Sequence, residues 1–194
     1  MLSHIRPALV MLAAMTLVTG LAYPLAMTGL AAALAPDRAA GSLIRREGQV
    51  VGSALIGQAF AQGKYLHPRP SASGWNAAGS SASNLGPTSA ALVTAVSERK
   101  AAFAAANGAP TPVDAVTTSA SGLDPHVSPE TALAQATRIA TSRGVDPVAV
   151  RRLIEARIEP PLLGLWGLPR VNVLAVNLAL DAELPALSLA GNPE

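Results

Sequence analysis

Ser97-Glu98-Arg99-Lys100 sets a serine hydroxyl and a lysine amine three positions apart, the S-x-x-K spacing with which penicillin-binding proteins build a nucleophile. The partner K-T-G is missing, and an alanine-rich helix around these residues would carry them as an ordinary solvated face. A second constellation is Ser71, His67, Asp124 and His126, since nucleophile, base and orienting acid need only meet in space. No G-x-S-x-G elbow supports it, and His67-Pro68-Arg69-Pro70 and Asp124-Pro125-His126 read equally as rigid turns satisfying nearby backbone. Gly57 and Gly63-Lys64-Tyr65 approach a P-loop, but the glycines are one residue too far apart and Tyr65 stands where Mg²⁺ binding needs Ser or Thr. With three histidines, one of them at position 4, and no cysteine, zinc and thiolate chemistry have no ligand set. A membrane-anchored periplasmic serine hydrolase is therefore the enzymatic reading to weigh, and it is a weak one.

The elements that must position these residues begin with a run free of charge from Pro7 to Pro36. A hydrocarbon core about 30 Å thick needs roughly 20 apolar residues in helix, and this run exceeds that with margin for tilt. A cleaved signal competes, with Ala33-Leu34-Ala35 as its small-residue site. Against it stand the length of the run, Tyr23-Pro24 inside it and Pro36 directly after the cut. His4 and Arg6 put the positive flank at the short tip. The expected layout is a cytoplasmic tip at 1–6, a transmembrane helix at 7–35 and a single periplasmic domain at 36–194, with the inner membrane as location. Ala26, Gly29 and Ala33 form a small-residue stripe suited to helix packing or merely padding an unpaired span.

About 155 residues remain beyond the span, enough for one domain with a real core. Net charge is +2, the basic residues are scattered, and only two each of Trp, Tyr and Phe are present, so nucleic-acid binding is excluded. The fold class expected is mixed α/β, one N-terminal transmembrane helix followed by a loop-rich domain. Gln49–Ile56 reads as a strand after a turn at Glu47-Gly48, with Gly52 marking a bulge or close approach. From Lys64 to Pro87 a long irregular stretch is pinned by Tyr65, Leu66, Trp75 and Leu85; its length points to an ordered, functional loop. A helix capped by Thr88 or Ser89 runs to Ala106 before Asn107-Gly108. Val113–Thr118 is expected as a short strand. Ser128-Pro129-Glu130 opens a helix closed by Gly144, and Asp146-Pro147 opens another with Val150, Leu153 and Ile154 on its buried face. Val171–Leu180, too short to span a membrane, is expected as a buried strand.

Several blocks in order resemble the C subunit of the Kdp potassium-transporting ATPase. They are Gly52–Phe60, Tyr65-Leu66-His67-Pro68-Arg69-Pro70-Ser71-Ala72, Ser83-Asn84-Leu85-Gly86-Pro87-Thr88, Ser119–His126 with Gln135, Arg138 and Ala140 after it, and Arg170–Leu174 leading to Asn177. Departures are small: Leu66 stands where an aromatic is usual, and Ser89-Ala90 follows the Gly-Pro-Thr where Asn-Pro is common.

The resemblance implies a non-catalytic subunit of a high-affinity potassium uptake complex. Its partners would be a channel-like potassium-binding subunit, a P-type ATPase subunit and a small single-span subunit, all in membrane lipid. It also implies a role in stabilising the assembly and, as a catalytic chaperone, in raising the pump subunit's affinity for ATP. No covalently bound cofactor is expected; ATP enters through the pump subunit. In that family Leu55, Gly57 and Gln58 look like a shortened nucleotide signature, which conflicts with a domain on the outer side. On the residues themselves, Gln58, Tyr65, His67, Arg69, Ser71, Asn84, Gly86, Asp124 and His126 are expected to form a docking surface. Three loops, Tyr65–Ser71, Ser83–Thr88 and Gly122–His126, would converge there.

Overall fold

The computed structural model describes residues 2–108 and 110–186; Ala109 and the stretch 187–194 of the expected domain lie outside the described residues. The chain divides into two units, Met1–Ser53 and Ala54–Glu194.

In the first unit a turn at Leu2–His4 leads into helix α1 (Ile5–Leu17), a π-helical turn (Val18–Ala22) and α2 (Tyr23–Leu34). Together Ile5–Leu34 makes one helix with mean hydropathy 1.9, long and apolar enough to cross a membrane. Pro24 explains the π turn. It lacks an N–H and its ring presses on the carbonyl four residues back, so the helix widens and the Tyr23 N–H bonds to Val18 O instead. Thr19 and Thr28 turn their hydroxyls onto Met15 and Pro24 carbonyls, so neither presents an unpaired donor to lipid. A short helix α3 (Pro36–Ala39) follows, then the hairpin of β1 (Leu43–Arg46) and β2 (Gln49–Ser53). Its two-residue turn is Glu47-Gly48, both at positive φ as the twist of a tight hairpin requires. The expected bulge lies beside Gly52, where Ile44 pairs with Gly52 but Arg45 with Val50. The strand stops at Ser53, short of Ile56.

In the second unit no helix or strand forms between Ala54 and Ser89. Helix α4 (Ala90–Asn107) follows, with Ser89 before it and Gly108 in the left-handed conformation after it. Val113–Val116 is a helical turn, α5, not the expected strand: Pro112 starts it, and the Asp114 carboxylate accepts from Ser128 N, Ser128 Oγ and Thr131 Oγ1. Next come β3 (His126–Val127), α6 (Pro129–Ala134), α7 (Ala136–Arg143), α8 (Pro147–Glu155), β4 (Ile158–Glu159), β5 (Arg170–Asn172) and α9 (Val173–Glu183). Ser128 and Asp146 cap as expected, onto Thr131 N and Val148 N. The helix expected from Ser128 to Gly144 is broken at Gln135, whose N–H closes a tighter bond to Ala132 O.

The run Val171–Leu180 is the larger correction. Only its first residues lie in a strand; the Asn172 side chain accepts from Ala175 N and turns the rest into α9. The sheet is antiparallel in the order β3-β5-β4, and α6 to α9 pack over it. Val127, Ala132, Ile139, Val150, Leu153, Ile154, Val171, Val176 and Leu180 make the core, together with one loop residue, Leu66, which is fully buried.

Leu66 is held there by a side chain acting as a strand. Asn177 accepts from Leu66 N at 2.7 Å and donates to Leu66 O at 2.9 Å. Gln135 does the same for His67, at 2.9 and 3.1 Å. Arg138 donates to Gly63 O and Tyr65 O, and Arg143, buried, donates to Lys64 O, Leu180 O and Leu184 O and pairs with Asp181 at 2.9 Å. Replacing Asn177 by Ala leaves a buried N–H and a buried C=O without partners, at about 1–3 kcal/mol each. Urea or thermal unfolding of the full-length chain should show a loss of about 2–6 kcal/mol, and Asn177→Asp should lose at least as much, because it buries a carboxylate against the Leu66 carbonyl.

Candidate functional site

Two of the three expected loops meet. Ser119 N donates to Pro70 O at 2.9 Å, Ser71 Oγ to Gly122 O at 2.6 Å, and Arg69 Nη1 to Asp124 Oδ2 at 3.0 Å. The post-strand segment joins them: Gly57 N donates to Leu123 O at 2.8 Å, and Asn172 Nδ2 to Ala54 O at 3.0 Å. Gly57 is required by that crossing, because a Cβ there would lie 2.6 Å from Asp124 O, a backbone atom with no freedom to retreat. A Cβ on Gly122, at φ +70°, would likewise lie 2.7 Å from Ser81 O, and Ser81 N in turn donates to Ser121 O at 3.0 Å. The third loop, Ser83–Thr88, is exposed; Asn84 has positive φ, Gly86 O accepts from Ser89 N, and neither residue bonds to the other two loops. Leu85 is 41% exposed and so is no pin.

Arg69 and Asp124 line two grooves, one of about 600 Å³ with Leu55, Ile56, Ser119 and Leu123, the other of about 620 Å³ with Thr117, His126, Glu130 and Arg170. Arg69 is engaged inside the domain, donating also to Thr117 Oγ1 at 3.3 Å, while its Nε is buried with no partner among the described residues. It therefore acts as a brace between loops, where sequence reasoning placed it in a docking surface. Asp124 also accepts from His126 N at 3.0 Å, with the His126 ring 3.6 Å away. Burial pushes its carboxyl up, but the hydrogen bonds from His126 and Arg69 outweigh burial and hold it below the usual carboxylate value.

The other expected contacts also face inward. Tyr65 Oη donates to Asp181, and its ring lies 5.5 Å from Phe60 and 5.2 Å from the Arg143 guanidinium. The His67 ring meets Gln62 O at 3.0 Å, and Ser71 meets Gly122 and Ser73, so serine and histidine are not joined as a nucleophile and its base. Ser97 and Lys100 are exposed on α4. The hydrolase reading gains nothing from this geometry. Leu55 and the half-buried Gln58 flank Gly57, and no helix begins there to receive a phosphate at its N-terminus. Among the described residues no group of three His, Asp or Glu side chains is placed to hold a metal.

Sequence reasoning overlooked what holds the loops: Arg143, and the clamping work of Gln135, Arg138 and Asn177. A signal existed, since Asn177 interrupts the otherwise apolar stretch Val173–Leu180.

Burial and the neighbouring Arg138 charge lower the His67 pKa from its ordinary 6.5. The unfolded chain thus binds the proton more readily, so the contribution of neutral His67 is complete above pH 6.5 and is lost as pH falls through the lower folded value. Thermal melts should show stability declining below pH 6.5, and His67→Gln should flatten that decline.

The model for the family "K+-transporting ATPase, c chain" matches residues 5–182. The potassium-transporting ATPase KdpC subunit of a Cereibacter sphaeroides strain is 75% identical over 182 residues, covering 94% of this chain and 98% of that relative. Proteins of the same name from Methylorubrum populi and Caulobacter vibrioides are each 55% identical, covering 93% and 97% of this chain and 98% of each relative. A model matched over nearly the whole length and relatives this similar place the chain in the KdpC family, the c chain of the K+-transporting ATPase.

Proposed function

We propose that this accessory, non-catalytic subunit stabilises a potassium uptake complex by docking onto it from the outer face of the inner membrane. The N-terminus lies in the cytoplasm, the span crosses once, and residues 36–194 sit in the periplasm. The domain seats on the channel-like potassium-binding subunit and bridges to the P-type ATPase subunit and the small single-span subunit. The observation that carries this reading is the braced pair of loops, Tyr65–Ser71 against Gly122–His126, in which polar groups are used to fix shape and none is arranged for bond-making.

A rigid apex is what docking rewards, because a loop ordered beforehand loses less entropy on binding. Leu55, Gln58, Asn84, Gly86 and His126 offer the outer contacts; Arg69, Tyr65, His67, Ser71 and Asp124 hold the surface in register. An effect on ATP affinity is then a coupling free energy passed through the partner subunits, typically about 1–3 kcal/mol or roughly 5- to 150-fold. The engagement of Gly57 in a backbone crossing favours this indirect route over direct nucleotide contact.

Arg69→Ala tests the reading. The Arg69–Asp124 pair is partly exposed, so its loss should cost the fold only about 1 kcal/mol or less, leaving the circular dichroism of the full-length chain unchanged. The loops lose their brace, so the subunit should no longer co-purify with its partners, and potassium uptake at low external potassium should fall. A variant that assembles and transports normally would overturn the proposal.

A further inference from the structure

The tip of the hairpin joining β4 to β5 lies outside the core, only its base, Leu168 to Arg170, bordering the groove beside Asp124, and among the described residues of the second unit it gathers the largest group of exposed large apolar side chains. The connection runs Pro160-Pro161-Leu162-Leu163-Gly164-Leu165-Trp166-Gly167-Leu168-Pro169, without a charge. Leu162, Leu163, Leu165, Trp166 and Leu168 are 64–83% exposed. Large side chains this open in a folded domain mark a surface meant to be covered.

We infer that this tip inserts into the lipid surface on the side where the domain lies, as a second membrane attachment beside the N-terminal helix. Part of its backbone is already satisfied within the turn. Leu162 and Trp166 exchange both N–H to O bonds, at 2.9 and 3.1 Å, while Gly164 N donates to Pro161 O and Leu165 N to Leu162 O. The turn thus closes four backbone hydrogen bonds within itself while its large side chains stand exposed, which lowers the cost of entering an apolar medium. Leu163, Gly164 and Gly167 take positive φ to close it.

A tryptophan among leucines, with a cation at the base, is the composition of a membrane–water boundary: indole and leucine enter, and the half-exposed Arg170 faces the lipid phosphates. Arg170 is paired with Glu159 at 2.9 Å, so the base of the hairpin is close to neutral and the apolar tip supplies the attraction. Such a tip would bind a membrane weakly by itself. Joined to a helix long enough to span the bilayer, it acts at the high effective concentration of a tethered second site. The inference rests on that helix as an anchor and on neither the docking surface nor the sidedness proposed above, so its failure and theirs are separable.

The test uses the full-length Trp75→Phe chain, which leaves Trp166 as the one indole, reconstituted into phosphatidylglycerol–phosphatidylcholine vesicles. Trp166 emission should shift to the blue and be lost in vesicles whose lipids carry bromine near the glycerol end of the acyl chain. Leu163→Asp with Leu165→Asp should abolish both effects while retaining the helical circular dichroism, and Trp75 in a Trp166→Phe chain should not be quenched. Unquenched, red-shifted Trp166 would overturn the inference. So would quenching that survives the double aspartate variant, or a cysteine at Leu163 that crosslinks to a partner subunit in the assembled complex while remaining inaccessible to lipid-borne reagents.

Discussion

The backbone from Gly63 to His67 has no strand beside it, yet Leu66 within it is buried in the core, and everything at the candidate site follows from how that conflict is resolved. A loop enters a core only if its N–H and C=O groups find partners. Here they come from the side chains of Gln135 between α6 and α7, Arg138 and Arg143 on α7, and Asn177 on α9. Amides that accept and donate at once copy a β-ladder for one residue each, and the arginines take the carbonyls between. A buried guanidinium is costly unless its donors are used, and Arg143 engages Nε, Nη1 and Nη2.

Once Leu66 is fixed, the rest of the loop is fixed in turn. Pro68 and Pro70 limit the chain leaving the core, Arg69 meets Asp124, and Ser71 reaches the Gly122 carbonyl. The shape that results is a stiff apex bounded by two grooves. Its rigidity comes from hydrogen bonds to backbone, which explains how a segment with no regular structure between Ala54 and Ser89 presents a defined surface.

Much of this was legible in residue order. Caps at Ser128 and Asp146, the Glu47-Gly48 turn, the apolar span and the buried face of α8 each rest on local rules that nothing tertiary overrode. Val171–Leu180 was misread because a run buried on both faces looks alike as strand or helix, and only the Asn172 cap decides between them. Val113–Val116 was misread because Asp114 serves a distant cap, a contact that no window of sequence contains. Which of the expected docking residues turn inward was not legible. Tyr65, Arg69 and Ser71 are expected in a docking surface from sequence, whereas geometry uses them as braces inside the domain.

The central claim is that the braced apex faces the periplasm and acts on partner subunits from there. Ala120 is exposed and lines the groove beside Arg69, and the chain has no cysteine of its own, so Ala120→Cys gives a single reporter. In cells opened only at the outer membrane, an impermeant maleimide should label it when the chain is alone, and assembly with the partner subunits should protect it. Labelling that appears only after the inner membrane is opened would place the apex in the cytoplasm and contradict the account.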